Sequence, residues 1–127
     1  MVPIFLTLNH ALSLHKLQID RFGGSHGVRD MPLLESALMQ SQSGFGGEYA
    51  HKDLYEMAAA YLFHICQNHP FVDGNKRVAL MVALVFLEIN GIDSEYSDDM
   101  LETMVLDVAN GNLKKSDIAE FFKKHAL

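Results

Sequence analysis

The sequence predicts an all-α protein, a helical bundle around one central buried helix with a short flap loop or hairpin. Apolar residues recur at spacings of three and four along several segments, which is the period of an amphipathic helix. Glycine, proline and small polar residues fall between those segments, where helices begin and end.

The length and composition are those of one folded domain, which we expect to cover residues 1–127. Of the 127 residues, 49% are hydrophobic and 20% are charged, enough for a single core and too little for two ordinary domains. The formal net charge is -6 at pH 7. Direct binding to nucleic acid is therefore not expected, because basic residues dominate contacts with its phosphate backbone.

We expect a cytoplasmic protein with no membrane partner. The single cysteine, Cys66, cannot form an internal disulfide. The first ten residues, MVPIFLTLNH, lack the basic start and long apolar stretch of a secretory signal. The longest apolar run, residues 78–87, is about half of the roughly 20 residues that a membrane-spanning helix needs.

Two helices and a flap are predicted in the first half of the chain. The first helix has Thr7 as its N-cap and ends at the glycine pair 23–24. The second is short, with Asp30 as its cap, Pro32 in its first turn and an end near Met39. The next stretch, SQSGFGGEYAHK, has three glycines and no sustained period, which predicts a loop or loose hairpin.

Four helices are predicted after the flap. The third has the strongest amphipathic pattern and ends near Asn68. The fourth runs from about Asn75 to Asn90, with Gly91 ending it, and because its middle is apolar on every side we expect it to be buried at the centre. The fifth and sixth helices are separated by Gly111. Their inner faces carry Leu101, Met104, Val105 and Val108, and then Ile118, Phe121 and Phe122.

Polar and special residues crowd into the run HPFVDGNKR, residues 69–77, between the third and fourth helices. Such a cluster between core helices is either a functional site or an unusually polar turn. The start of the fourth helix offers unpaired N–H groups and a positive dipole end, which attract an anion. Gly74 allows close approach to the backbone, and Lys76 and Arg77 add positive charge. The run therefore predicts an anion pocket.

Three other side chains in this run are suited to phosphate chemistry. Asp73 offers a hard oxygen ligand for a magnesium ion that bridges to nucleotide phosphates. Asn75 can hydrogen-bond a phosphate oxygen without adding charge. His69 is the residue of the run that can take a proton from a hydroxyl near neutral pH. Base, metal ligand and phosphate pocket thus lie within nine residues.

The run closely resembles the signature of Fic-domain proteins, H-P-F-x-[DE]-G-N-[GK]-R, and the segments FGGSHGVRD and GFGGE resemble the Doc branch, the toxins of toxin–antitoxin pairs. The resemblance implies a Fic-type bundle with ATP and Mg²⁺ as cofactors. It also implies that residues 44–47 form a flap that docks the backbone of a target protein. The residue roles it implies are catalytic base for His69, magnesium ligand for Asp73, anion pocket for Gly74, Asn75, Lys76 and Arg77, turn for Pro70 and core anchor for Phe71.

Two departures from the general Fic pattern bear on the reaction. Nucleotidyl-transferring Fic enzymes usually have glycine and a second arginine where this chain has Lys76 and Leu80. Doc-type toxins share both changes, and the resemblance implies that they reverse the nucleotide and transfer its terminal phosphate to a translation protein, elongation factor Tu. The inhibitory motif [ST]-x-x-x-E-[GN] of many Fic proteins is absent from the sequence. The resemblance therefore implies a separate antitoxin, which binds as a helix in a groove.

Several alternatives remain open from the sequence. The reaction could instead transfer AMP or another nucleotide part, or the chain could be an inactive module that binds an antitoxin and co-regulates its operon. Cys66 as a nucleophile and His64 with His69 as zinc ligands are disfavoured, because Cys66 lies near an apolar stripe and the two histidines are five residues apart. Arg29 and Asp30 fit equally well as site residues and as surface caps.

Overall fold

The computed structural model describes residues 2–127 and consists mainly of α-helices. They are α1 Leu8–Phe22, α2 Met31–Met39, α3 Leu54–Asn68, α4 Asn75–Ile89, α5 Asp98–Ala109 and α6 Lys115–Lys124. A 3₁₀ turn, Gln40–Gln42, continues α2, and the strands β1 Gly44–Phe45 and β2 Glu48–Tyr49 pair antiparallel. The predicted all-α class with a short hairpin is confirmed.

The residues that the sequence predicted to begin and end helices have these roles in the structure. The Thr7 hydroxyl accepts a hydrogen bond from the His10 N–H at 3.3 Å, and the Asp30 carboxylate accepts one from the Leu33 N–H at 3.0 Å, so both cap their helices. Gly91, just after α4, has the positive φ of 86° that the predicted left-handed ending requires.

Helix α3 lies at the centre of the bundle. Nine of its 15 residues are buried, and it packs against α2, α4, α5 and α6. Helix α4 buries one face on α3, but Leu80, Met81, Leu84 and Val85 are only partly buried. The first three of these line an open groove between α1, α4 and α5. The central buried helix therefore exists, but the expectation that α4 is buried on every side is wrong.

The flap is an exposed two-strand hairpin. Its turn uses Gly46 and Gly47, which have φ values of 63° and 82°, and Phe45 at its tip is 94% exposed. At the base of the hairpin the Tyr49 ring meets Phe5 edge-on, with 5.5 Å between ring centroids. The predicted loose hairpin is therefore confirmed, and its tip projects away from the bundle.

The longest helices, α1, α3 and α4, each have 15 residues, fewer than the roughly 20 that cross a bilayer. Within residues 2–127 no helix has both the length and the apolarity needed to span a membrane.

Candidate active site

His69 ends helix α3 in an unusual backbone conformation. Its φ is 46°, and among residues 2–127 it is the one non-glycine residue with positive φ. A left-handed conformation at such a residue costs about 1 to 3 kcal/mol and persists only where the surroundings hold it. The side chain is exposed, so the imidazole is free to meet a substrate.

Arg29 holds the backbone on which His69 sits. Its Nε donates to the His69 carbonyl at 2.7 Å, and its Nη2 donates to the Asn68 carbonyl at 2.9 Å. The last carbonyls of a helix lack partners within it, so the guanidinium supplies the cap of α3. The backbone N–H of Arg29 also donates to the Pro70 carbonyl at 2.7 Å. Of the two residues left open by the sequence, Arg29 contacts the backbone of the candidate site, whereas Asp30 caps α2.

Asn75 and Phe71 close the loop from the other end. The Asn75 Oδ1 accepts from the Phe71 N–H at 2.9 Å, and its Nδ2 donates to the Phe71 carbonyl at 3.0 Å. Phe71 is 1% exposed, so its expected role as a core anchor is confirmed. The side-chain amide of Asn75 is bound to the Phe71 backbone. The part of Asn75 best placed to bind an anion is therefore its backbone N–H, at the start of α4. The contribution of Asn75 to an anion pocket stays a prediction.

His15, on α1, packs against the loop that joins α3 to α4. It is 4% exposed, and its ring stacks on that of Phe71 with 3.9 Å between centroids and 11° between planes. Its Nε2 lies 2.8 Å from the Asp73 carbonyl, and since a carbonyl only accepts, Nε2 carries the proton. In the sequence His15 stands four residues before Ile19, at the spacing of an apolar helix face, and nothing in that pattern distinguishes it from an ordinary buried residue.

The Asp73 carboxylate is exposed and held by two backbone donors. Oδ2 accepts from the Ser25 N–H at 3.1 Å, and Oδ1 accepts from the Gly74 N–H at 2.8 Å. Both hydrogen bonds lower the pKa of Asp73 below its ordinary value, and the one from Ser25 has the larger effect. A Cβ at Gly24 would come within 2.8 Å of Oδ2, so the glycine leaves room for the carboxylate. Asp73 is ionised at neutral pH with lone pairs still available.

This arrangement fits a magnesium ion that arrives with a nucleotide. Mg²⁺ is commonly held by one or two carboxylates together with substrate phosphates and water, and Asp73 supplies one such carboxylate. Within residues 2–127 no group of three or more His, Cys, Asp or Glu side chains could hold a metal ion on its own. That finding gives no support to the zinc alternative.

The start of α4 is open to an anion. Gly74 occupies the cap position with φ 75°, and no side chain caps the helix, so its first N–H groups lack protein acceptors within the helix. A Cβ at Gly74 would lie 3.1 Å from the Ile19 side chain. Lys76 and Arg77 are exposed on this first turn, and the Arg77 guanidinium carbon lies 5.1 Å from the centre of the Phe22 ring. The predicted site residues thus lie between the end of α3, where His69 stands, and the first turn of α4.

The alternative of Cys66 as a nucleophile is not supported. The residue is 4% exposed, and burial raises the pKa of its thiol to about 11. The reactive thiolate is therefore scarce at neutral pH.

The fold and this site define a known class, and the chain belongs to the Fic/DOC family. The sequence model of that family matches residues 5–87, from the segment before α1 into α4. The chain is similar to "Toxin Doc" of Mycolicibacterium smegmatis, with 38% identity over 100 residues that cover 77% of each protein. It is also similar to "Protein kinase doc" of Escherichia phage P1, with 32% identity over 113 residues, 89% of this chain and 88% of that relative. The resemblance to Doc toxins is confirmed.

We expect the substitution Asp73→Asn to weaken magnesium-dependent ATP binding by at least roughly tenfold. Mutation of residues that support a metal site typically lowers metal affinity on this scale. The amide removes the negative charge that a hard cation prefers. Calorimetric titration of ATP with and without Mg²⁺ measures this, with Asp99→Asn on the exposed start of α5 as the control. The assignment would be wrong if Mg²⁺ made no difference to ATP affinity in either the wild type or Asp73→Asn.

The substitution His15→Phe separates the two contacts of His15, since it keeps a ring beside Phe71 and removes the donor to the Asp73 carbonyl. We expect the free energy of unfolding to fall by about 1 to 3 kcal/mol, the cost of leaving a polar group unpaired. Urea denaturation measures the change. Wild-type stability in His15→Phe would show that the hydrogen bond at 2.8 Å contributes nothing.

Proposed function

We propose that this chain transfers the terminal phosphate of ATP to a hydroxyl of a translation protein, elongation factor Tu by resemblance, and thereby inhibits translation until an antitoxin binds it. One observation carries the proposal. An exposed His69, an ionised Asp73 and an uncapped helix start with Lys76 and Arg77 all lie between the end of α3 and the first turn of α4. An inactive binding module would have no need to keep these groups together.

In the proposed reaction His69 takes the proton of the acceptor hydroxyl. The hydroxyl oxygen forms a bond to the γ-phosphorus, and the bond from that phosphorus to the bridging oxygen breaks, which releases ADP. The N–H groups of α4 with Lys76 and Arg77 hold the charged phosphates, and positioning of this kind supplies most of the catalysis in phosphoryl transfer. Asp73 would hold Mg²⁺, which when bound offsets phosphate charge. Arg29 fixes the backbone of the base through the two hydrogen bonds at the end of α3.

Terminal phosphate transfer is favoured over AMP transfer by the residues at positions 76 and 80. Lys76 adds a side chain and a charge next to the cap of α4, where a glycine would leave space for inner phosphates. Leu80, one turn further, lines the same groove as Lys76 and Arg77 and has no donor for a phosphate. The similarity to a relative named as a protein kinase also supports this choice. AMP transfer is the second candidate.

A groove of about 710 Å³ between α1, α4 and α5 suits an antitoxin helix. More than half of its lining residues are apolar, and two of them, Phe22 and Leu106, are 59% and 43% exposed. Lys76 and Arg77 lie among its lining residues, as do Asp98 and Glu102, so it can match charges of both signs on an amphipathic helix. Since Lys76 and Arg77 also belong to the proposed phosphate pocket, a helix in this groove would compete with ATP.

Mass spectrometry of cellular proteins, after expression of this chain without a partner, tests the proposal. A mass gain of one phosphate on a translation protein is the expected result. A gain of AMP would favour the second candidate, and unmodified proteins in the presence of stable, soluble chain would favour an inactive module.

A further inference from the structure

A second cleft, of about 640 Å³, lies beside His69. Its walls come from the last turns of α3, the end of α5 and the start of α6. His69 and Phe63 line one part of it, and Lys114, Lys115 and Ser116 line another. Lys76 and Arg77 do not line this cleft but line the groove between α1, α4 and α5.

The proposed base and the proposed phosphate-binding cations line different openings. His69 lines the cleft, whereas Lys76 and Arg77 line the groove. In phosphoryl transfer the attacking and leaving oxygens lie roughly in line, on opposite sides of the phosphorus. The base must touch the acceptor hydroxyl, whereas Lys76 and Arg77 hold the nucleotide. The cleft that contains His69 but neither of these cations is therefore on the side from which an acceptor would approach.

This cleft is positively charged, although the chain as a whole has a net charge of -6. Lys114 and Lys115 line it, and within residues 2–127 its lining includes no Asp or Glu. The nearby acid of α6, Asp117, accepts a hydrogen bond from the Lys114 N–H at 2.9 Å, so its carboxylate is engaged with the backbone at the helix start. The lysine and acidic side chains that line the cleft itself are therefore both cations, Lys114 and Lys115.

Lys115 is held in place on the cleft wall. Its Nζ lies 3.2 Å from the His64 Nε2 and 5.9 Å from the centre of the Phe63 ring. The ammonium can only donate, so His64 accepts with a neutral ring, in keeping with its lowered pKa. A cation held by its surroundings loses less side-chain entropy when it binds an anionic partner.

We propose that the cleft beside His69 binds a segment of the acceptor protein that carries Asp or Glu next to the reactive hydroxyl. The inference rests on the proposed phosphate transfer and adds to it the charge of the substrate segment. Lys114 and Lys115 are then specificity-determining residues, and their attraction for the acidic segment brings the hydroxyl to the imidazole.

Peptide binding tests this without any need for catalysis. A fluorescent peptide with one threonine flanked by glutamates is compared with the same peptide flanked by lysines, by anisotropy, on the full chain. We expect the wild type to bind the glutamate peptide at least roughly tenfold more tightly than the lysine peptide. In Lys114→Glu with Lys115→Glu this preference should be lost or reversed, and in Lys124→Glu, an exposed site at the far end of α6, it should persist.

Calorimetry of ATP with Mg²⁺ on the same variants distinguishes the acceptor from the nucleotide. We expect the ATP affinity of the double variant to stay within about twofold of wild type. A fall in ATP affinity, or a wild type with no preference between the peptides, would overturn the inference. Thermal unfolding confirms that the double variant folds, and if it does not, Lys114→Glu alone, at an exposed site, gives the same readouts. Failure of the phosphate transfer itself would instead be seen by mass spectrometry of the wild type.

Discussion

The substitution His69→Ala is expected to abolish growth arrest and target modification while the protein stays folded. A general base typically contributes 10²- to 10⁴-fold to the rate, and His69 is exposed, so little packing is lost with its side chain. Growth after induction and mass spectrometry of the target measure activity, and thermal unfolding measures stability.

The substitution His69→Asn controls for the backbone. Asparagine tolerates the left-handed conformation that His69 adopts at φ 46° better than alanine does, but it cannot act as a base. Both variants should therefore be inactive, with His69→Asn the more stable. Full growth arrest by stable His69→Ala protein would show that His69 is not the base.

The substitution Phe71→Ala should destabilise the fold by about 3 to 5 kcal/mol, as phenylalanine truncations in cores do. The ring is 1% exposed and stacks on His15, and its backbone is bound on both sides by the Asn75 amide. Removing the ring therefore opens a cavity and frees the loop that carries His69 and Asp73, so activity should fall as well.

Its neighbour supplies the matched control for this loss of stability. Val72 is 56% exposed, and Val72→Ala should change the free energy of unfolding by no more than about 0.5 kcal/mol. Urea denaturation of the two variants gives the comparison. Equal stability of Phe71→Ala and Val72→Ala would contradict the role of Phe71 as the anchor of the loop.

The helices could be predicted because their boundaries are set by local signals. Thr7 and Asp30 cap α1 and α2 through their own side chains, and Gly91 supplies the positive φ after α4. Each of these interactions joins residues close in sequence, so the residue types alone are informative.

Which helix lies at the centre could not be predicted in the same way. Helices α3 and α4 are both rich in apolar residues, but hydropathy does not say which neighbours cover them. Helix α3 is surrounded, whereas Leu80 and Leu84 of α4 line an open groove. In sequence, an apolar helix face that stays open looks the same as one that is covered in the core.

The candidate site could likewise be predicted only in part. Its central residues are contiguous, from His69 to Arg77, and the motif was visible in the sequence. The residues that hold it come from far away: His15 is 58 positions from Asp73, and Arg29 is 40 positions from His69. Such long-range contacts depend on the packing of α1 and the loop after it, and neither periodicity nor spacing reports them.

The most direct test of the proposed chemistry is which phosphate of ATP reaches the target. Purified chain is incubated with Mg²⁺ and a translation extract, with ATP labelled on the γ-phosphate in one reaction and on the α-phosphate in the other, and His69→Ala as the blank in both. Label from the γ-phosphate on a translation protein, with none from the α-phosphate, is the predicted result. Label from the α-phosphate on that protein would contradict it and would identify the reaction as nucleotide transfer.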